Sequence, residues 1–218
     1  MEEHPSSTFE GMDWVLRSSE ISVKLDRSKT LSFAPMTLNQ GEIVLLKGVS
    51  GSGKSTFIHA LSGLIRIHQG RVEINHVGNI QAGHRVPKNW RRNGVSVLPQ
   101  RAFFWNSLSL KENLELAAWC KRVSVDVAPI MDLGLEDQSN QSAHSLSLGE
   151  QQRLGALRAL LGSAPILLAD EPTASLDDSN VEKLIQLLRA EMGEKTLLLS
   201  SHDSRLQSFV DRTIELHK

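Results

Sequence analysis

The sequence predicts an α/β domain with a parallel-sheet core, an antiparallel β layer and an inserted helical lobe. Three observations predict it. Short, mostly apolar runs recur at residues 43–46, 95–98, 166–169 and 196–200, the pattern of strands buried on both faces. Helical stripes separate the later runs, first Leu154, Leu157 and Leu161, then Val181, Ile185, Leu188 and Met192, each set falling on one face at a period of 3.6. The first run leads into Gly48-Val49-Ser50-Gly51-Ser52-Gly53-Lys54-Ser55-Thr56, followed by Phe57, Ile58 and Leu61. That is strand, glycine-rich loop, helix. The pattern G-x-x-x-x-G-K-[ST] is met in full, its glycines letting backbone N–H groups approach a polyphosphate while Lys54 reaches the outer phosphates and Ser55 offers a hydroxyl to Mg²⁺.

Composition bounds the rest. A chain of 218 residues with 40% hydrophobic content can bury a sizeable core. A formal net charge of -1 carries no basic footprint, so nucleic acid is not an expected partner. The single cysteine, Cys120, cannot close an internal disulfide, and no charged-then-apolar leader opens the chain, which favours a reducing cytoplasmic setting. Cys120 itself reads as a packing residue. No apolar run approaches the ~20 residues needed to cross a bilayer, so a membrane role requires another chain. Without internal repeats, residues 1–218 read as one domain: a poorly ordered tail at 1–11, a core at 12–100 and 147–218, and a helical lobe at 101–146.

Within the core, Trp14, Leu16, Ile21, Val23 and Leu25 partly alternate with polar residues, giving half-buried strands broken by turns at 17–20 and 26–29. Residues 71–75 alternate and rejoin that antiparallel layer, whereas 76–93, with Gly78, Gly83, Pro87 and the basic Lys88, Arg91 and Arg92, read as an exposed excursion. In the lobe, Ser109 and Glu112 form a capping box for a helix that buries Leu110, Leu114, Ala117 and Ala118. The consecutive aromatics Phe103, Phe104 and Trp105 cannot all enter one core. A short helix near 206–210 and a strand at 213–216 close the fold, ending where the last core strand is expected.

Chemistry gathers at the ends of the buried runs. The run at 166–169 ends in Asp170-Glu171-Pro172, and that at 196–200 in Ser201-His202-Asp203. The carboxyl ends of parallel strands are where open α/β sheets bind ligands. Ser147 and Glu150 make a second capping box, and the helix N-terminus there, with Gly149, can receive an anion. Capping alone does not explain why Gln151, Gln152 and Arg153 crowd its first turns.

In this order the motifs resemble the nucleotide-binding subunit of ATP-binding cassette (ABC) transporters, a P-loop NTPase with a RecA-like core, from about Trp14 to Lys218. Residues 48–56 look like that family's Walker A loop, Gln100 like its Q-loop, and 146–153 like its LSGGQ signature. Residues 166–171 resemble Walker B with the catalytic glutamate, Ser175-Leu176-Asp177 the D-loop, and His202 the switch histidine. The resemblance implies ATP and Mg²⁺ as ligands. It implies that Lys54 and the loop amides hold the β- and γ-phosphates, that Ser55, Asp170 and Gln100 serve the metal site, that Glu171 acts on the attacking water, and that His202 fixes the γ-phosphate. Ser147, Gly149, Glu150 and Asp177 would close the site from a second copy, so that a homodimer or paired cassette sandwiches two nucleotides and drives an integral membrane permease. The chain would then sit peripherally on the inner face of the cell membrane.

Two residues depart from the family pattern. Leu25 stands near the place of the usual adenine-stacking aromatic, so the base would be covered by dispersion alone, with weaker discrimination. Leu148 replaces the first signature glycine, and its side chain either crowds the partner's nucleotide or points away. The motif wording also resembles the lipoprotein-releasing and macrolide-exporter branch. An ABC-type switch acting on a soluble or cell-envelope partner is the alternative function, and a P-loop kinase leaves the signature and Ser175-Leu176-Asp177 unexplained.

Overall fold

The computed structural model describes residues 14–26, 28–124 and 140–216. The tail expected at 1–11 and part of the expected helical lobe lie outside these residues. In chain order the strands and helices are β1 (Trp14–Ser18), β2 (Ile21–Lys24), β3 (Thr30–Phe33), β4 (Met36–Asn39), β5 (Ile43–Lys47), α1 (Lys54–Leu61), β6 (Arg71–Ile74), β7 (Gly78–Gln81), β8 (Val95–Leu98), α2 (Leu110–Lys121), α3 (Leu148–Leu160), β9 (Ile166–Asp170), α4 (Asp178–Glu191), β10 (Thr196–Ser200) and β11 (Arg212–Glu215).

The apolar runs form a five-stranded sheet in the order β11-β5-β10-β9-β8, with every pairing parallel. Because side chains alternate across a strand, this sheet divides the core in two. Leu45, Leu167, Ala169, Leu197 and Leu199 face the cluster completed by Leu114 of α2, Leu154 and Leu157 of α3, and Leu184 and Leu188 of α4. Val44, Leu46, Ile166, Leu168 and Leu198 face the other way, onto Phe57, Ile58 and Leu61 of α1. The same cluster takes in Leu16, Leu38, Val72 and Ile74 from a four-stranded sheet of order β4-β1-β6-β7. That sheet, antiparallel throughout, is the layer expected from the alternating patterns. Strands β2 and β3 pair with each other as a separate two-stranded ribbon, which a single bridge from Ser22 joins to Gln69.

Both capping boxes are present. Ser109 accepts from the Glu112 N–H and Glu112 accepts from the Ser109 N–H, and Ser147 and Glu150 repeat the arrangement at α3. Each satisfies two N–H groups that a helix start leaves without intrahelical partners.

Four local expectations need correction. The first turn begins later than expected, since Arg17 and Ser18 belong to β1 and pair with β4 and β6. The excursion at 76–93 contributes strand β7 and a π-helical turn, Trp90–Gly94, and Trp90 is fully buried with its indole N–H donating to the Leu61 carbonyl at 3.0 Å. Near 206–210 the chain makes a 3-10 turn, Ser204–Leu206, rather than an α-helix. Cys120 is exposed. Of the three lobe aromatics Phe104 is buried, while Phe103 and Trp105 stay outside, edge to face with ring centroids 6.0 Å apart.

Candidate active site

The loop after β5 turns back on itself before α1. Gly53 takes φ 97°, and a Cβ there would stand 2.9 Å from Leu31 Cδ1. At Gly48 a Cβ would meet Ser52 Oγ at 2.5 Å and the Leu216 carbonyl at 2.9 Å. Only glycine fits both positions, which is how the backbone comes to line a cavity without side chains in the way. Ser52 is buried, and its hydroxyl has no partner among the described residues.

Lys54 opens α1 and is only 7% exposed. Its ammonium donates to the Gly48 carbonyl at 2.9 Å, approaches His202 Nε2 at 2.7 Å and lies 3.8 Å from Glu171 Oε1. His202 Nε2 is in turn 3.5 Å from the same carboxylate oxygen. An ammonium has only protons to offer, so the short contact sets His202 Nε2 as acceptor and places the imidazole proton on Nδ1. Three groups from loops after three parallel strands thus meet at one point.

Asp170 ends β9, where Ser55 donates to its Oδ1 at 3.0 Å and Ser200 at 2.7 Å. Ser200 Oγ also accepts from the Glu171 N–H at 3.0 Å, which holds Glu171 in a left-handed conformation at φ 47°. A non-glycine residue there is strained by about 1 kcal/mol or more, and the strain turns the carboxylate away from the strand direction and toward Lys54.

Lys54, Ser55, Glu171 and His202 line one pocket of about 890 Å³ at the carboxyl edge of the parallel sheet, whose lining does not include Gly48, Val49, Ser52 or Asp170. It brings together Ser50, Gly51, Gly53, Lys54, Ser55, Thr56, Gln100, Glu171 and His202, all named from sequence, and Leu25 stands on its wall beside Lys29 and Leu31. Ser147, Gly149, Glu150 and Asp177 are outside its lining. They form a second constellation. Asp177 caps α4 by accepting from the Asn180 N–H at 2.8 Å, and a Cβ at Gly149 would lie 2.3 Å from Asn180 Oδ1. Leu148 points outward, 45% exposed. Part of the polar crowding after Glu150 has partners: Gln151 donates to the Leu146 carbonyl at 2.9 Å and Arg153 to Asn180 Oδ1 of α4 at 2.6 Å.

Sequence reasoning missed Arg205. Its guanidinium grips Asp203 through two bonds, at 2.8 and 2.7 Å, reaches Asp178 at 2.5 Å and donates to the Leu176 carbonyl. It ties the loop after β10 to the start of α4, and its bonds hold the Asp203 carboxyl below the usual range. The alternation of acid and base around 203–205 was the available signal.

A family model described as ABC transporter matches residues 31–174. The chain belongs to the ABC transporter family. The cassette is 35% identical over 200 residues to HrtA of Staphylococcus aureus (strain Newman), a hemin import ATP-binding protein by name, covering 88% of this chain and 90% of that one. Among solved structures, an ATP-binding subunit of an ABC transporter superposes with a TM-score of 0.79 at 25% identity, covering 93% of this chain and 86% of that one. The dimeric bacterial cassette MJ0796 superposes with a TM-score of 0.78 at 28% identity over 92% of this chain and 94% of that one. The same cassette in a post-hydrolysis state with ADP and Pi gives 0.75 at 29% identity, over 92% and 94%. As a member of this family the cassette is the ATP-binding and ATP-hydrolysing subunit of a transporter. No helix among the described residues is long and apolar enough to cross a membrane.

Proposed function

We propose that this cassette hydrolyses ATP in a site built from its own phosphate loop and the signature turn of a second copy, at the inner face of the membrane beneath a separate permease. One observation carries the reading. Lys54, Glu171, His202 and Gln100 line the pocket over the glycine loop, while Ser147, Gly149 and Glu150 of the same chain do not. A signature turn that cannot reach its own site is free to complete another's.

In this reading the loop amides and Lys54 bind the β- and γ-phosphates, exchanging the contacts of Lys54 with Gly48, His202 and Glu171 for contacts with phosphate oxygens. Gln100 and Glu171 orient a water in line with the Pγ–O bond to ADP. As the water oxygen attacks phosphorus, its proton passes to the Glu171 carboxylate and the electron pair of the breaking bond leaves on the ADP β-phosphate. His202 positions the γ-phosphate. Asp177 shapes the start of α4 beside the partner's signature turn, and α2 belongs to the lobe that carries the stroke to the permease.

The donor set suits Mg²⁺. Ser55 and Asp170 place a hydroxyl and a carboxylate oxygen together, and among the described residues no cluster of three or more His, Cys, Asp or Glu forms a cage. Mg²⁺ is usually held by one or two protein oxygens with waters and substrate phosphates. Ser55, Asp170 and Gln100 would hold it, and it would neutralise phosphate charge there.

The substrate belongs to the permease. Hemin, from the name of HrtA, is the first to assay. The cassette reading is tested with Glu171→Gln, which removes the proton acceptor but keeps the shape. Turnover falls by about 10²–10⁴-fold while ATP binding by fluorescence titration persists, and unchanged turnover refutes the role of Glu171.

A further inference from the structure

The loops after β9 and β10 together wall one side of the nucleotide pocket, with Glu171 and Ser175 on the first and His202 and Arg205 on the second. The first loop is strained at both ends. Glu171 sits at φ 47° and Ser175 at φ 65°, and neither is glycine. Left-handed backbone at such residues persists only where the surroundings over-determine it.

Three rungs from β10 and its loop supply that hold. At one end the Glu171 N–H donates to the Ser200 carbonyl and to Ser200 Oγ, each at 3.0 Å. In the middle the Thr173 and Ser201 hydroxyls meet at 3.3 Å. At the far end, just beyond Ser175, Arg205 donates to the Leu176 carbonyl at 3.3 Å and to Asp178, the first residue of α4, at 2.5 Å.

The third rung is fixed by its own loop before it reaches across. Asp203 accepts the Arg205 backbone N–H at 2.9 Å and two bonds from the guanidinium at 2.8 and 2.7 Å, a fork that orients the remaining donors. The value of this rung is geometric. Asp178 is 94% exposed and Arg205 36%, and an ion pair so open to solvent does little for stability. All three guanidinium nitrogens already donate within the chain.

Resting on the reading of Glu171 as proton acceptor and His202 as the group that positions the γ-phosphate, we propose that Arg205 is a positioning residue for hydrolysis. By tying Leu176 and Asp178 to the loop of His202, it holds the end of the strained loop and keeps Glu171 and His202 in register. It acts through those two side chains and not on the nucleotide.

Steady-state ATP turnover and fluorescence titration of ATP, both on the full chain, test it. Arg205→Gln lowers kcat by about 10- to 100-fold, the upper figure being that of a misplacement of about 1 Å, while the Kd for ATP changes by less than about threefold. Arg205→Lys keeps the charge but not the fork, and falls nearly as far. Asp178→Asn, ordinarily a silent change at so exposed an acid, lowers kcat about twofold to fivefold. In the Arg205→Gln background it has no further effect. Glu171→Gln, run alongside, separates the two readings. Unchanged turnover there sinks the site reading itself, whereas lost turnover there with parent turnover in Arg205→Gln sinks this inference alone. A loss of ATP affinity as large as the loss of kcat, full turnover in Arg205→Lys, or independent effects of Asp178→Asn and Arg205→Gln would also overturn it. Should Arg205→Gln unfold by circular dichroism, Asp178→Asn decides by itself, and parent turnover in that variant overturns the proposal.

Discussion

Gly149→Ala is the most informative substitution in the signature turn, because its cost falls on a named neighbour. The new Cβ would stand 2.3 Å from Asn180 Oδ1 and 2.4 Å from its Cγ. Asn180 cannot simply swing aside, since its side chain donates to Asp177 at 3.0 Å and accepts from Arg153 at 2.6 Å. Overpacking of this kind costs about 1–3 kcal/mol, offset by about 0.5–1 kcal/mol for replacing a helical glycine by alanine. The net expectation is a loss of about 1–2 kcal/mol, measured by urea unfolding, and slower ATP turnover as α3 shifts against α4. In an Asn180→Ala background the obstacle is gone. There Gly149→Ala becomes neutral or stabilising, so the double-mutant cycle shows a coupling of about 1–3 kcal/mol. Additivity within about 0.5 kcal/mol would refute the argument that Gly149 is required by Asn180.

Other outcomes follow from the same contacts. Lys54→Ala removes charge-assisted bonds worth about 1.5–3 kcal/mol each, so ATP affinity by fluorescence titration falls at least about tenfold; an unchanged Kd would remove Lys54 from phosphate binding. Burial places the Lys121 ammonium at about 8, below its unfolded value near ~10.4. Between those values the unfolded chain holds more protons, so the Lys121 contribution makes stability rise with pH from about 8 to 10. Urea midpoints across that range should climb, and Lys121→Met should flatten the climb; an identical slope in the variant would contradict it. Cys120 is exposed, so a maleimide should label the native protein without denaturant, and Cys120→Ser should change stability by no more than about 0.5 kcal/mol.

The parallel sheet was legible because strands buried on both faces leave continuous apolar runs, and the phosphate site because its glycines, lysine and serine are contiguous. Asp170, Glu171 and His202 could be placed on one rim from strand order alone. Harder to read were contacts whose partners are far away in sequence. Trp90 sits among Lys88, Arg91 and Arg92, so polarity pointed outward, yet its indole fills a space under α1 and bonds Leu61. Gln152 and Arg153 are buried, and Arg153 finds its partner on another helix, at Asn180 Oδ1. Cys120 could have been read better: Leu110, Leu114 and Ala118 mark the buried face of α2, and position 120 lies off that stripe. Arg205 joins two loops through acids that a linear reading treats as solvated.

The ribbon β2–β3 pairs with neither larger sheet, yet the turn and strand that follow β2 bring Leu25, Lys29 and Leu31 to the nucleotide pocket. Leu25 and Lys29, in the turn between the two strands, therefore hang on a unit apart from the rim where Lys54, Glu171 and His202 meet, whereas Leu31 packs on Gly53 of the phosphate loop. An aromatic in place of Leu25 could change which nucleoside triphosphate is preferred while the hydrolytic machinery stays as it is. Choice of fuel and the burning of it are, in this cassette, separately inherited traits.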